Sequence, residues 1–229
     1  MTYLGGKGNS YQKIINLIPP HDVYIESFAG GGSVLLNKAP ARWSIAIDSD
    51  ASATNDLRSV IARNGELARC STVICDDATR WLANYDFTGK EFVYADPPYL
   101  MHTRRQHRQL YRCELATPAE HTRLLTILKH LPCNVMISGY WSELYEHHLA
   151  GWNVETFEAV TRGGSMATEY LWMNYPPPVA LHDYRYLGDN FRERERIKRK
   201  AARWLNRFEN LPTLERQAIL AAMKDAHLS

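Results

Sequence analysis

Four short apolar runs, each broken at its carboxyl end by glycine, aspartate or proline, constrain this chain more than any other feature. Residues 24–29 run into Gly30-Gly31-Gly32, and residues 43–48 end on Asp48. Residues 72–75 run into Asp76-Asp77, and residues 92–95 into Asp96-Pro97-Pro98-Tyr99. Helical stretches fall between them: one from about Ser33, one over 51–63, and a short one after Asp77. Strands alternating with helices predict an α/β fold whose parallel sheet is covered on both faces. An open sheet of this kind binds its ligand at the carboxyl ends of its strands. All four punctuation points lie there.

Further along, Leu124, Leu125, Leu128 and Leu131 recur at helical spacing. Thr117-Pro118 is placed to open that helix, with Thr as cap and Pro in the first turn. Residues 134–138, 154–157 and 169–173 supply three more strands, for seven in all. Only the short connection at Arg162-Gly163-Gly164 joins the last two, so one of them is expected to be antiparallel. After Pro176-Pro177-Pro178 no strand appears, and from Asn190 the chain is a highly charged helical stretch. The expected division is a sheet domain over 1–178 and a small basic helical extension over 179–229.

A length of 229 residues suits one such domain plus an appendage. The 45% apolar and 23% charged content is that of a soluble globular protein. No stretch approaches the roughly 20 apolar residues of a membrane span, and residues 1–10 lack the apolar core of a signal peptide. A cytoplasmic protein with no membrane partner is expected. Cys70, Cys75, Cys113 and Cys133 form no CxxC pair and have no neighbouring His cluster, so neither a disulfide framework nor a metal site is expected. The net charge of +2 says little, because it hides its own distribution.

Glycines 30 to 32, directly after a strand, let the backbone turn tightly and approach a ligand closely. The next helix offers its first N–H groups to a carboxylate or phosphate. Asp48 is placed to accept hydrogen bonds from ribose hydroxyls, and Asp76 or Asp77 to hold an adenine amino group. A dinucleotide fingerprint is excluded by Leu35 where a further glycine is needed, and Gly5-Gly6-Lys7-Gly8 fails as a phosphate loop because Gly follows the Lys. The glycines alone also suit an ordinary strand-to-helix turn.

Asp96-Pro97-Pro98-Tyr99 is the sharper motif. Two prolines hold the backbone extended and remove two N–H donors, leaving carbonyls free to accept. An exocyclic amine is a poor nucleophile because its lone pair is delocalised into its ring. A carboxylate and a carbonyl accepting its two hydrogens would localise that pair and stabilise the charge that develops on transfer. Tyr99 would offer an aromatic face to a base taken out of its helix.

With these residues in place the chain resembles the Dam-like family of DNA adenine N6-methyltransferases. The matching pieces are Tyr3-Leu4-Gly5-Gly6-Lys7, Glu26-Ser27-Phe28-Ala29-Gly30-Gly31-Gly32, Asp48 and Asp96-Pro97-Pro98-Tyr99. Thr168-Glu169-Tyr170-Leu171-Trp172-Met173-Asn174-Tyr175 is similar to the closing strand of phage members. The resemblance spans residues 1 to about 178 and implies a Rossmann-like class I fold dependent on S-adenosylmethionine (SAM), in a bacterial or phage-infected cell. It implies that Tyr3 and Lys7 flank SAM, that Phe28, Gly30 and Gly32 line it, and that Asp48 holds its ribose. Asp76 or Asp77 would approach the cofactor adenine. Asp96 would lie beside the cofactor and, with Pro97, polarise the target amine. Pro98 belongs to the same catalytic tetrapeptide, and Tyr99 would stack on the target base. The implied reaction is direct transfer to adenine N6, without a covalent enzyme intermediate or a metal.

Larger members carry a long target-recognition insert before the tetrapeptide. Here only a helix, a short strand and another helix fit, so short or relaxed recognition is expected. Pro132-Cys133 resembles the nucleophile of cytosine C5 methyltransferases, but it precedes the fifth strand where that chemistry needs it after the fourth. Cys133 is therefore expected to pack.

Double-stranded DNA is the partner that the resemblance implies, and two basic segments suit contact with nucleic-acid phosphates, DNA or RNA alike. Arg104, Arg105, Arg108 and Arg112 follow the tetrapeptide, with His107 and Tyr111 among them. At about 100° per residue, Arg192, Arg196, Arg199, Lys200, Arg203 and Arg207 share roughly a third of a helix circumference, and Ile197, Ala201, Trp204, Leu205 and Phe208 gather elsewhere. That helix reads equally as a backbone grip and as part of a hairpin with residues 214–223, so a monomer or weak homodimer is expected. RNA adenine as substrate, cytosine N4 methylation and a catalytically idle nucleic-acid-binding protein are the alternatives.

Overall fold

A computed structural model describes residues 10–100, 115, 117–160 and 166–227 of the chain. In chain order it contains α1 (Tyr11–Ile15), β1 (Val23–Ser27), α2 (Ser33–Asn37), β2 (Trp43–Asp48), α3 (Ala51–Ala62), α4 (Leu67–Cys70), β3 (Ser71–Cys75) and α5 (Ala78–Asn84). These are followed by β4 (Glu91–Ala95), α6 (Pro118–His130), β5 (Asn134–Gly139), α7 (Glu143–His148), β6 (Asn153–Val160), β7 (Met166–Met173), α8 (Phe191–Glu209) and α9 (Thr213–His227).

The seven strands form one sheet in the order β3-β2-β1-β4-β5-β7-β6. β1 to β5 are parallel, while β7 is antiparallel to both β5 and β6. The strand order reverses between β1 and β4, so the crevice outside their carboxyl ends is the topological switch point. The register pairs Ser27 with Ile47 on one side and with Ala95 on the other. The ends of β1, β2 and β4 are therefore level, and the residues that follow them share one rim.

Strand alternation sends side chains to two faces. Ile25, Ile47, Val93 and Ile137 pack with Leu82 of α5, Leu124, Leu125 and Leu128 of α6, and Leu149 after α7. α6 opens as its sequence predicts. Thr117 Oγ1 accepts the Glu120 N–H (3.3 Å), and Glu120 Oε2 accepts the Thr117 N–H (2.9 Å). A reciprocal cap of this kind contributes about 1 kcal/mol.

On the other face Tyr24, Phe92, Tyr94 and Met136 are buried. α2 lies over them, since Leu35 donates its N–H to Glu26 Oε2 at 2.7 Å. Gly32 has φ +64°, and a Cβ there would stand 2.6 Å from Leu57 Cδ1 on α3. Glycine therefore serves two needs at once: a left-handed backbone and the close approach of Leu57.

By contact the chain divides into two compact units, Met1–Asp183 and Tyr184–Ser229. The first ends in a bracket around Ala39. Asp183 Oδ2 accepts the Ala39 N–H (2.8 Å), His182 Nε2 lies 3.0 Å from the Ala39 carbonyl, and the His182 N–H donates to the Ile18 carbonyl (2.9 Å). In the second unit Asn190 Oδ1 accepts the Glu193 N–H (3.0 Å) and caps α8. No residue of α8 is buried. Its apolar stripe leaves Trp204 and Leu205 62% and 57% exposed.

Candidate active site

After β1 the chain turns through three residues with positive φ: Phe28 (61°), Gly30 (51°) and Gly32 (64°). Glycine accepts this freely, but at Phe28 it costs about 1–3 kcal/mol. The turn is held by its surroundings. Ala29 N–H donates to the Ile47 carbonyl (2.9 Å), Gly32 N–H to the Ala29 carbonyl (2.7 Å), and Gly30 N–H to Asp48 Oδ2 (2.7 Å). Asp48 Oδ1 accepts the Asp50 N–H (2.8 Å). Burial raises the Asp48 carboxyl above the usual carboxylate range, against the pull of those backbone donors. Asp48 thus stands at the end of β2, where the sequence predicts it, and also anchors the glycine turn. A carboxylate beside a glycine turn suits a nucleoside, with hydroxyls for the acid and a close backbone for the rest.

Asp76 and Asp77 follow β3, and their side chains are engaged locally. Asp77 Oδ1 accepts the Arg80 N–H (2.6 Å) and caps α5. Asp76 pairs with the Arg80 guanidinium and accepts the Asp77 N–H (2.7 Å). The Arg80 hydrogen bond holds the Asp76 carboxyl below the usual range.

Asp96 follows β4 one residue beyond the Ser27–Ala95 pair, and its N–H donates to the Ser27 carbonyl (3.3 Å). Asp96 Oδ1 accepts a hydrogen bond from Ser138 Oγ on β5 (2.7 Å), and Ser138 Oγ lies 3.0 Å from the Tyr94 hydroxyl. Pro97 is buried, and Pro98 and Tyr99 are half-buried. The Tyr99 hydroxyl donates to Glu169 Oε1 on β7 (2.8 Å), and its ring centroid lies 4.3 Å from that of Tyr140, tilted by 42°. Beneath the glycine turn, Glu26 is buried, with Oε2 accepting from the Tyr24 hydroxyl (2.9 Å) and the Leu35 N–H (2.7 Å). Burial pushes its carboxyl up to about 7 despite those donors.

The fold therefore brings Phe28, Gly30, Gly32, Asp48, Asp96, Pro97, Pro98 and Tyr99 to one rim of the sheet. Tyr3, Lys7, Arg104, Arg105, Arg108 and Arg112 lie outside the described residues. Arg196 and Arg203 are exposed on α8, with Arg196 3.3 Å from Glu193. Sequence reasoning missed Ser138 and Tyr140, and it names Glu26 and Glu169 only as parts of matching segments, without a role. Two of them carried a signal, since Glu26 and Glu169 are acids inside apolar strands. Cys133 is buried and its thiol is pushed up to about 12, so it stays protonated and packs as expected. Among the described residues no group of three or more His, Cys, Asp or Glu is placed to hold a metal ion, and no helix is long and apolar enough to cross a membrane.

A seven-stranded sheet of this order with one reversed strand is the Rossmann-like α/β fold of class I SAM-dependent methyltransferases. A putative methyltransferase from Streptococcus mutans, solved in complex with SAH, is similar at 11% identity with a TM-score of 0.50, over 74% of this chain and 99% of that one. The precorrin 8W decarboxylase of Methanobacterium thermoautotrophicum is similar at 15% identity and the same TM-score of 0.50, over 76% and 94%. Residues 49–161 match the family model of the D12 class N6 adenine-specific DNA methyltransferases, in line with the Dam-like family the sequence resembles. That segment contains the tetrapeptide and begins directly after Asp48. No curated protein matches the chain.

Proposed function

We propose that this protein transfers the methyl group of SAM to the N6 amino group of adenine in DNA. The observation that carries the reading is Asp96, held at the switch point by Ser138 inside the segment that matches the D12 family. SAM, when bound, supplies a methyl group on a positively charged sulfur. The turn from Phe28 to Gly32 and the Asp48 carboxylate would hold its adenosyl part and aim it at the tetrapeptide. Asp96 and the Pro97 carbonyl would each accept one hydrogen of the target amine. That keeps the nitrogen lone pair out of the ring and stabilises positive charge as the methyl carbon leaves sulfur for nitrogen, and the Asp96 carboxylate would take the proton that the methylated amine gives up. Tyr99, tied to Glu169, would supply the stacking surface for the extruded base.

Recognition is short or relaxed in this reading. Between Asp48 and Glu91 the chain holds only α3, α4, β3 and α5, with no room for a further reading domain. The test is to incubate the protein with SAM and either duplex DNA or structured RNA, then quantify modified nucleosides by mass spectrometry and map modified adenines along a plasmid. N6-methyladenine from DNA at many sequence contexts is expected. Methylation of RNA alone would sink the DNA assignment, and marks confined to one site of four or more bases would sink relaxed recognition.

The basic face of α8 is assigned to the phosphate backbone. Arg192, Arg196, Arg199, Lys200, Arg203 and Arg207 are all exposed on it. Every phosphate that a protein ceases to neutralise makes the plot of log affinity against log salt shallower by about 0.9. An Arg196→Ala/Arg203→Ala double variant should therefore bind duplex DNA more weakly, with a slope shallower by about 2. Fluorescence anisotropy over a salt series measures it. A wild-type slope would remove α8 from the interface.

A further inference from the structure

Resting on that reading of the site, we propose that Ser138 and Tyr94 form a positioning relay that fixes the rotation of the Asp96 carboxylate before any substrate arrives. Neither residue belongs to the tetrapeptide or to the glycine turn. Ser138 comes to Asp96 through the lateral pairing of β4 with β5, and Tyr94 stands two residues before Asp96 on β4 itself. The register that pairs Tyr94 with Met136 and Ala95 with Ile137 sets Asp96 beside Ser138. Strand alternation puts all three on the face covered by α2.

The direction of the chain follows from donor counting. An ionised carboxylate only accepts, so the hydroxyl hydrogen of Ser138 goes to Asp96 Oδ1 over 2.7 Å. Serine has one hydrogen to give, so the Tyr94 hydroxyl must donate to Ser138 Oγ over 3.0 Å. Ser138 is fully buried and Tyr94 is 1% exposed. Water therefore does not compete for either hydroxyl, and each bond is stronger than its counterpart at a surface. Tyr94 is itself held at its backbone, where its carbonyl accepts from Ser27 Oγ (3.3 Å).

The relay acts through Asp96. A carboxylate free to rotate about its Cβ–Cγ bond would offer the target amine a spread of geometries. Tied at Oδ1 by a buried donor, it presents one. An acceptor whose rotation is already fixed spends no free energy on ordering when charge develops, which is the source of electrostatic preorganisation.

The test compares Ser138→Ala, Ser138→Thr and Tyr94→Phe with the wild type, on duplex DNA and on structured RNA. Ser138→Ala is expected to lower kcat about 10- to 100-fold, the loss of one hydrogen bond to a charged group. Its KM for SAM and for nucleic acid should stay close to the wild type, while its melting temperature should fall, because the buried Tyr94 hydroxyl loses Ser138 as acceptor. Ser138→Thr, which keeps the hydroxyl, should recover most of the rate, and Tyr94→Phe should fall in the same direction by less. High-resolution crystal structures of the wild type and Ser138→Ala with S-adenosylhomocysteine should show the Asp96 carboxylate rotated in the variant. If Ser138→Ala does not fold, Tyr94→Phe carries both measurements. A wild-type kcat in Ser138→Ala, or losses in stability and KM with kcat intact, would overturn the relay. So would an unmoved Asp96 carboxylate, whatever the substrate proves to be. A wild type that methylates neither DNA nor RNA would overturn the proposed function, and the carboxylate orientation would still judge the relay.

Discussion

Replacing Asp96 by alanine is expected to lower the rate of methyl transfer about 10²- to 10³-fold, the usual cost of deleting a group aimed at charge that develops in the transition state. The fold should survive. Asp96 lies after β4 and is half-buried, and its backbone N–H still reaches the Ser27 carbonyl. Its partner Ser138 loses an acceptor but keeps the Tyr94 hydroxyl. Nucleosides counted by mass spectrometry after timed incubation with SAM and duplex DNA give the rate, and circular dichroism checks the fold. An Asp96→Ala protein working within twofold of the wild type would place the chemistry elsewhere.

The second large effect concerns stability rather than rate. Glu26 titrates near 7 in the folded chain because burial disfavours its charge, whereas an unfolded glutamate titrates at 4.5. Between those values the folded state holds a proton that the unfolded state has released, so stability falls as pH rises through the window. By pH 8 the loss amounts to about 3 kcal/mol. Glu26→Gln removes this dependence, because its amide is neutral throughout while its carbonyl can still accept from Tyr24 and Leu35. The variant should therefore gain on the wild type between pH 5 and pH 8. His21 acts in the opposite sense. Burial, then Lys38 and His182, push its ring down to about 3, so its contribution to stability grows as pH rises from about 3 to 6.5. The raw profile of the wild type mixes the two, and the difference between wild type and variant isolates Glu26. Urea unfolding of both proteins at the two pH values measures it. An equal difference at pH 5 and pH 8 would show that Glu26 does not titrate in this window.

The strands were legible because their periodicity and their punctuation agree. β1, β2, β3 and β4 lie within two residues of their expected bounds, and β7 is the reversed strand that a short connection to β6 required. Short helices were less visible. α1, α4 and α7 span 5, 4 and 6 residues, too few for a helical period to stand out. The site divides along the same line. Asp48 and Asp96 stand out as candidates in the sequence because one ends a strand and the other directly follows one, a property of the local chain. Ser138 does not, because its nearness to Asp96 depends on which strand lies beside β4 and in what register. Asp76 and Asp77 were read only as ligands for an adenine, while Asp77 satisfies an orphan donor at the start of α5. The same residue type that suits a nucleoside also caps helices, and the cap at Asp77 is a demand that strand-end position alone does not reveal.

The bracket around Ala39 bears on where the chain can be shortened. The triple proline at 176–178 looks like a natural place to cut, since the apolar strand pattern stops there. A fragment ending at that point would discard Asp183 and His182. The Ala39 N–H would lose its acceptor, and the Ala39 carbonyl would keep only the Lys38 ammonium. Losing such a bond at a half-buried position costs about 0.5–1.5 kcal/mol, a noticeable share of the margin on which a domain survives. A fragment that stops after Asp183 keeps the clasp and still sheds α8 and α9.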